Sequence, residues 1–259
     1  MEYGMSEEPF VLKYNWRHKI LAIVYYFMIA VAAFFGGSLY AFFHCYRRND
    51  WHDLTHVCSL FFIPMFKIFG IKMVVEGKEN IPSKSGFVMV ANHQSFLDIN
   101  AIFAGVSHTA FLAKADLWKI PYFGWGLSKT GSIPIYRKDP KKNAGMGKII
   151  KQRIDQGYNY CVFPEGNRTK DGKMTSFKNG IFRIAKEHEF TILPITLVDT
   201  GKRLSRNTLG LRPGPIRIVV HPPITPEQYK EMSMEELRDS AHDIVESELP
   251  YKKQKNEEA

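Results

Sequence analysis

Cysteine is scarce in this chain of 259 residues: Cys45, Cys58 and Cys161 are the three, and no C-x-x-C pair occurs. Neither a disulfide framework nor a structural zinc site is expected from that usage. There is no G-x-S-x-G elbow, no Walker G-x4-G-K and no G-x-G-x-x-G after a strand, so the usual serine-hydrolase and nucleotide-cradle signatures are missing. No His, Cys and Asp grouping has metal-ligand spacing, and no metal is expected. Fixed-period repeats are also lacking, and the charged tail Lys252–Glu258 is the one biased tract.

Acids are outnumbered: 35 Lys and Arg stand against 26 Asp and Glu, a net charge of +9. The imbalance is local. Residues 1–113 carry +1, residues 114–217 carry +13 and residues 218–259 carry −5. A phosphate-bearing ligand, an anionic membrane surface and nucleic acid all fit a basic middle segment. Apolar residues at 45% are enough for a substantial core and exclude global disorder.

From Ile20 to Phe43 no residue is charged, and 24 residues at ~1.5 Å each would cover a hydrocarbon core of ~30 Å. A signal peptide is the first alternative, because Ala30-Val31-Ala32 has the look of a cleavage site. The apolar run continues eleven residues beyond it, and Glu7 and Glu8 lie upstream, which argues against cleavage. A core helix of a soluble protein is the second, opposed by eight aromatics among the 24 residues, a density suited to an interface. The next apolar stretch, Leu54–Phe66, is too short to span. Lys13, Arg17 and Lys19 precede the first run and Arg47 and Arg48 follow it, so positive charge gives no orientation. Residues 1–70 are therefore expected to form a membrane-embedded helical hairpin with both ends at one surface.

Past Gly70, short apolar runs alternate with helical patterns. Lys72–Val75, Gly86–Ala91, Ala110–Ala113, Ser132–Tyr136, Tyr158–Phe163, Thr191–Val198 and Ile216–His221 read as strands. Phe96–Phe103, Leu117–Ser128, Lys142–Gln156 and Phe177–Glu187 read as helices, and Ser-Met-Glu-Glu at Ser233 is a capping box opening another. Residues 71–259 are expected to be an α/β domain with a mostly parallel or mixed sheet flanked by helices.

Polar clusters follow several of those strands. In Asn92-His93-Gln-Ser-Phe-Leu-Asp98, a turn at His93 lets the carboxylate in the following helical turn reach back to the imidazole. Asp98 serving only the helix dipole is the plainer reading. In Phe163-Pro-Glu165-Gly166-Asn-Arg168, proline ends the strand, glycine permits close backbone approach and arginine offers a planar fork for phosphate. An ordinary turn with a solvated Glu/Arg pair reads equally. Lys114 and Arg137 follow two more strands, each alone an ordinary loop cation. Ser95 has no defined relation to His93 at i+2 and is a poor nucleophile candidate.

These residues together resemble the 1-acyl-sn-glycerol-3-phosphate acyltransferases and the wider glycerolipid acyltransferase group. Asn92-His93-x4-Asp98 resembles the first motif of that family, Gly131-Ser-Ile-Pro-Ile-Tyr-Arg137 the second, Phe163-Pro-Glu-Gly-Asn-Arg168 the third and Leu193-Pro194-Ile195 the fourth. Asn167 stands where the family usually has Thr. The resemblance implies transfer of an acyl group from acyl-CoA or acyl-carrier protein to the sn-2 hydroxyl of lysophosphatidic acid, with no cofactor beyond the donor. His93 would be the general base and Asp98 its orienter. Arg137, Arg168 and Lys114 would hold the acceptor's phosphate, Glu165 and Gly166 would shape the pocket, and Lys178 is a further candidate. It also implies membrane lipids as partners, with the site on the cytoplasmic face of a membrane, a bacterial inner membrane in a bacterium. Acylation of another lysolipid, a membrane-bound thioesterase releasing free fatty acid, and a basic binding module tolerant of losing His93 are the rivals. Nucleic acid is not expected as a partner, since no basic motif interleaved with aromatics is present.

Overall fold

All seven expected strands form. The structure, a computed structural model, describes residues 10, 12–31, 61–121, 123–205 and 210–257. The strands are β1 (Ile71–Glu76), β2 (Val88–Ala91), β3 (Ala110–Lys114), β4 (Ile133–Ile135), β5 (Tyr160–Val162), β6 (Ile192–Val198) and β7 (Gly214–Val220). Every residue of β2, β5 and β6 is buried, as unbroken apolar runs are when both sheet faces are covered. β7 alternates instead, burying Ile216, Ile218 and Val220.

The sheet order is β1-β7-β6-β2-β5-β3-β4. Every neighbouring pair is parallel except β6 and β7, so the sheet is mixed. Pro194 is tolerated in the buried β6 because pairing with β7 begins only at Ile195, next to the residue without an N–H. The carboxyl ends of β2 through β6 consequently lie along one edge. That edge, where the chain leaves β2 to one side and crosses back over it from β5 to β6, is where ligands bind in open α/β sheets.

Helices cover both faces. On one, α1 (Trp16–Val31) and α2 (Leu97–Gly105) share a core with Phe87, Met89 and Leu193. On the other, α4 (Met146–Asp155), α5 (Gly180–His188) and α8 (Met234–Ser247) pack on Val88, Val90 and Tyr160. Between α2 and α4 lies the short α3 (Phe123–Lys129). The short α6 (Thr200–Arg203) and α7 (Pro226–Tyr229) precede α8, and α9 (Pro250–Glu257) follows it. The expected helix over Leu117–Ser128 is divided: a 3-10 turn, Ala115–Lys119, is followed by Pro121 and then by α3. Likewise Gly145, with φ of 78°, separates the turn Pro140–Asn143 from α4, because its left-handed backbone cannot continue a helix. Ser233 caps α8 through the expected box with Glu236.

The expected hairpin lies partly outside the described residues, which omit 32–60. What is described of it is α1 and a helical stretch over residues 61–68. No helix among the described residues is long and apolar enough to cross a membrane. Tyr25 of α1 is fully buried, as are Met65 and Phe66 nearly so, in the same core as the sheet.

Candidate active site

β2 ends at Ala91, and Asn92 locks the next turn by a double bond to β6: its amide donates to the Leu197 carbonyl at 2.9 Å and accepts from the Leu197 N–H at 2.7 Å. His93 follows. Asp98, fully buried in the first turn of α2, reaches back so that its Oδ2 lies 2.7 Å from His93 Nδ1. The same oxygen accepts from the N–H groups of Gln94 (2.7 Å) and Ser95 (2.8 Å). Oδ1 accepts from the Thr200 hydroxyl. Three donors on Oδ2 and one on Oδ1 thus fix the carboxylate's orientation. With Nδ1–H donating to Asp98, the imidazole lone pair is on Nε2, and the His93 side chain remains 17% exposed on an otherwise buried floor. The ring stacks on Phe163 at 4.0 Å.

Glu165 shapes the site from beneath. Its Oε1 accepts from the backbone N–H of His93 at 2.7 Å, and its Oε2 from the N–H and hydroxyl of Thr175, both at 2.9 Å. Burial pushes this carboxyl above the usual carboxylate range, against the pull of those hydrogen bonds. Thr169 donates its N–H to the His93 carbonyl at 2.8 Å, so the β2 and β5 loops are tied at the base itself. Gly166, at φ of 77°, makes the turn; a Cβ there would come within 2.8 Å of Lys178 Nζ. Asn167, the departure in the third motif, accepts from Arg137 Nη1 at 3.2 Å and so joins the second motif to the third.

The cations divide. Arg168 lies within electrostatic reach of Tyr26 on α1. Arg137 lines a cavity on the opposite sheet face, together with Gly166 and Lys178. Lys114 is held by Asp116 at 2.7 Å, and no contact among the described residues joins it to His93. Asp116, between Lys114 and Lys119, falls to about 2. Ser95 donates to the Leu204 carbonyl and accepts from the Leu97 N–H, a buried structural role. As for metals, His242, Asp243 and Glu246 come together on α8, but Tyr251 and Lys252 already engage Glu246.

Thr200 and Thr175 are site residues that motif reading passed over. Thr200 and its predecessor Asp199 follow β6 directly, and a polar pair at a strand's carboxyl end was a usable signal. Asp199 takes a left-handed backbone at φ of 65° and pairs with Lys202 at 3.0 Å in a buried bridge, which directs Thr200 toward Asp98.

Comparison with known proteins agrees with these motifs. The sequence pattern of the family described as Acyltransferase matches residues 72–198. A 1-acyl-sn-glycerol-3-phosphate acyltransferase of Helicobacter pylori is 31% identical over 195 residues, 74% of this chain and 79% of that protein. The chain belongs to the 1-acyl-sn-glycerol-3-phosphate acyltransferase family. Another relative of that family, the chloroplastic LPAT1 of Arabidopsis thaliana, is 35% identical over 76% of this chain. The chain spans about half the length of such chloroplastic relatives, 54% for LPAT1. Among solved structures, the 1-acyl-sn-glycerophosphate acyltransferase PlsC of Thermotoga maritima superposes with a TM-score of 0.76 at 29% identity, covering 89% of this chain and 93% of that one. The acyltransferase-family match stops at Val198, two residues short of Thr200.

Proposed function

We propose that this protein acylates the sn-2 hydroxyl of lysophosphatidic acid from an acyl thioester, giving phosphatidic acid. The observation that carries the reading is the His93–Asp98 pair: Nδ1 is committed to a buried, hydrogen-bonded carboxylate, which leaves the lone pair on Nε2 of a side chain that stays 17% exposed. An alcohol is a weak nucleophile until its proton is removed, and a base of ordinary pKa ~6.5 suits neutral pH. His93 Nε2 takes the hydroxyl proton as the oxygen attacks the thioester carbonyl. The new C–O bond forms, the C–S bond breaks, and the proton passes to the departing thiolate. Asp98 keeps the tautomer and steadies the imidazolium between those steps.

The acceptor's phosphate goes to Arg168, on the side of the base nearest α1, while Gly166 lets the backbone approach it. Lys114, paired with Asp116, contributes positive field without contact. Residues 1–70 form a hairpin embedded in one leaflet, so that the lysolipid chain need not enter water. The apolar side chains that α1 turns outward, Ile20, Ile23 and Phe27, support this placement.

The test is an assay of the detergent-solubilised protein with lysophosphatidate and other lysolipids against acyl-CoA and acyl-carrier protein, with products identified by mass. Phosphatidate formed in preference to other phospholipids is expected. Free fatty acid released without an acceptor would instead mean a thioesterase.

A further inference from the structure

Two glycines after β6 have no backbone reason to be glycine. Gly201 lies within α6 and Gly210 precedes Leu211, and neither has a positive φ. Glycine weakens a helix relative to alanine, so α6 bears a cost at Gly201. Space accounts for both positions. A Cβ on Gly201 would run into Cε2 and Cζ of Phe10, and a Cβ on Gly210 into the ring of Tyr14. Both rings come from the short stretch of sequence ahead of α1. The Tyr14 hydroxyl donates to the Lys202 carbonyl at 3.0 Å, and the Leu211 N–H donates to the His18 carbonyl at 2.9 Å. Phe10, Tyr14 and His18 are thus seated along the chain that leaves β6.

Phe10 is half-buried, and its other edge bears on the turn after β5. There a Cβ on Gly172, which has φ of 86°, would fall 2.6 Å from Phe10 Cδ2. That turn is braced, because the Gly172 N–H donates to Thr169 Oγ1 at 3.2 Å and the Thr169 N–H holds the His93 carbonyl. One ring therefore fills the gap between a turn tied to His93 and the glycine that adjoins Thr200. The Gly201 N–H donates to Gln94 Oε1 at 3.4 Å, so α6 is gripped between Phe10 and the turn that joins His93 to Asp98.

We infer that Phe10 is a positioning residue for acyl transfer: its ring is a wedge that presses α6 toward Asp98 and keeps the Thr200 hydroxyl on Oδ1. The inference rests on the acyl-transfer reading above. The gap left by removing that side chain frees α6 to withdraw, and hydrogen bonds weaken steeply once donor and acceptor separate. The stretch that carries Phe10 leads into α1, so the helix that the proposed function sets in lipid is fastened to the reaction centre by this ring.

The test is a double-mutant cycle between Phe10 and Thr200. Phe10→Ala should lower kcat about tenfold and leave KM for lysolipid and acyl donor within about twofold. Phe10→Leu keeps most of the bulk and should recover to within about threefold of the unaltered protein. In a Thr200→Val chain the further change Phe10→Ala should cost less than about twofold, because the hydrogen bond that the wedge protects is already gone. Should Phe10→Ala not fold, Phe10→Val carries the same comparison. Proton NMR of the whole protein supplies a readout without turnover: the Nδ1–H held between His93 and Asp98 gives a far-downfield line, which His93→Gln removes. Phe10→Ala and Thr200→Val should move that line alike. Additive losses in the cycle, a loss confined to KM, or an unmoved line would each overturn the assignment. The two readings fail separately. A line that moves in a protein transferring no acyl group to any lysolipid would defeat the proposed function and leave the wedge standing. Normal transfer with an unmoved line would defeat the wedge alone.

Discussion

At the scale of single residues the proposed reaction centre is a chain of three hydrogen-bonded side chains: His93, Asp98 and Thr200. Removing the base should cost most. General-base assistance is worth ~10²–10⁴-fold, so His93→Ala should lose more than about nine-tenths of kcat with little change in melting temperature; greater retained turnover would refute the assignment. Asp98→Asn should be comparably severe, because an amide NH₂ turned to Nδ1 favours the wrong tautomer. Thr200→Val is the sharper experiment. It keeps shape but leaves a buried carboxylate oxygen without its donor, about 1.5–3 kcal/mol, or 10- to 100-fold in kcat if the loss falls on the transition state. Thr200→Ser should recover most of it, and the acceptor KM should stay in place in both. Were Thr200 a mere packing residue, Ser would not rescue. His93 and Asp98 were legible in the sequence because a strand–turn–helix junction leaves few ways for them to meet. Thr200 was not, since its partner is 102 positions away and only the sheet order puts β6 beside β2.

Elements position those residues through ties between loops. Glu165 connects the β5 loop to the His93 amide, and Thr175 closes the other side. Glu165→Ala should therefore lower kcat by releasing His93, although the residue touches no reacting atom; a change confined to KM would contradict this. Farther along, His221 at the end of β7 donates from Nε2 to Thr196 Oγ1 at 2.8 Å, and Thr196 donates to the Val245 carbonyl at 2.7 Å, linking β6, β7 and α8. Burial, with help from Arg217 and against the pull of Glu248, pushes this imidazole below its usual value. A depressed folded-state pKa means stability that is present above the unfolded value of ~6.5 and lost as pH falls below it. The melting temperature should drop between pH 7 and 5, and less steeply in His221→Gln, which keeps a donor but not the titration. Parallel slopes would dismiss His221 as a source of acid sensitivity. The central strands β2, β5 and β6 were readable because they bury both faces and show unbroken apolar runs, and β7 was readable by its alternation. The divided helices were not readable from periodicity alone: Pro121 and Gly145 act through backbone geometry, which the apolar pattern on either side conceals.

For the whole molecule, two faces with different chemistry flank one catalytic edge. α1 buries Ala22 and Tyr25 in the core and turns Trp16, Ile20, Ile23, Val24, Phe27 and Val31 outward, each at least 38% exposed. These positions recur at helical spacing on one side, so the helix is apolar on both, a pattern that fits lipid contact better than water. The cavity lined by Arg137, Gly166 and Lys178 lies on the opposite face. If the acceptor is withdrawn from lipid past α1, both ends of the hairpin must lie at the surface that the sheet occupies. Burying acyl chain in lipid is worth ~0.8 kcal/mol per CH₂, which makes extraction into water prohibitive and a leaflet-level site necessary. The flanking charges, Lys13, Arg17 and Lys19 before the apolar run and Arg47 and Arg48 after it, agree with one shared surface. Single cysteines placed by Ser6→Cys and Asp53→Cys, in a chain whose thiols at Cys45, Cys58 and Cys161 have been replaced, give the decisive measurement. With a membrane-impermeant thiol reagent on sealed inside-out vesicles, both positions should label at similar rates. If Asp53→Cys alone labels, and Ser6→Cys is reached only after permeabilisation, the first apolar run crosses the bilayer and the hairpin is wrong.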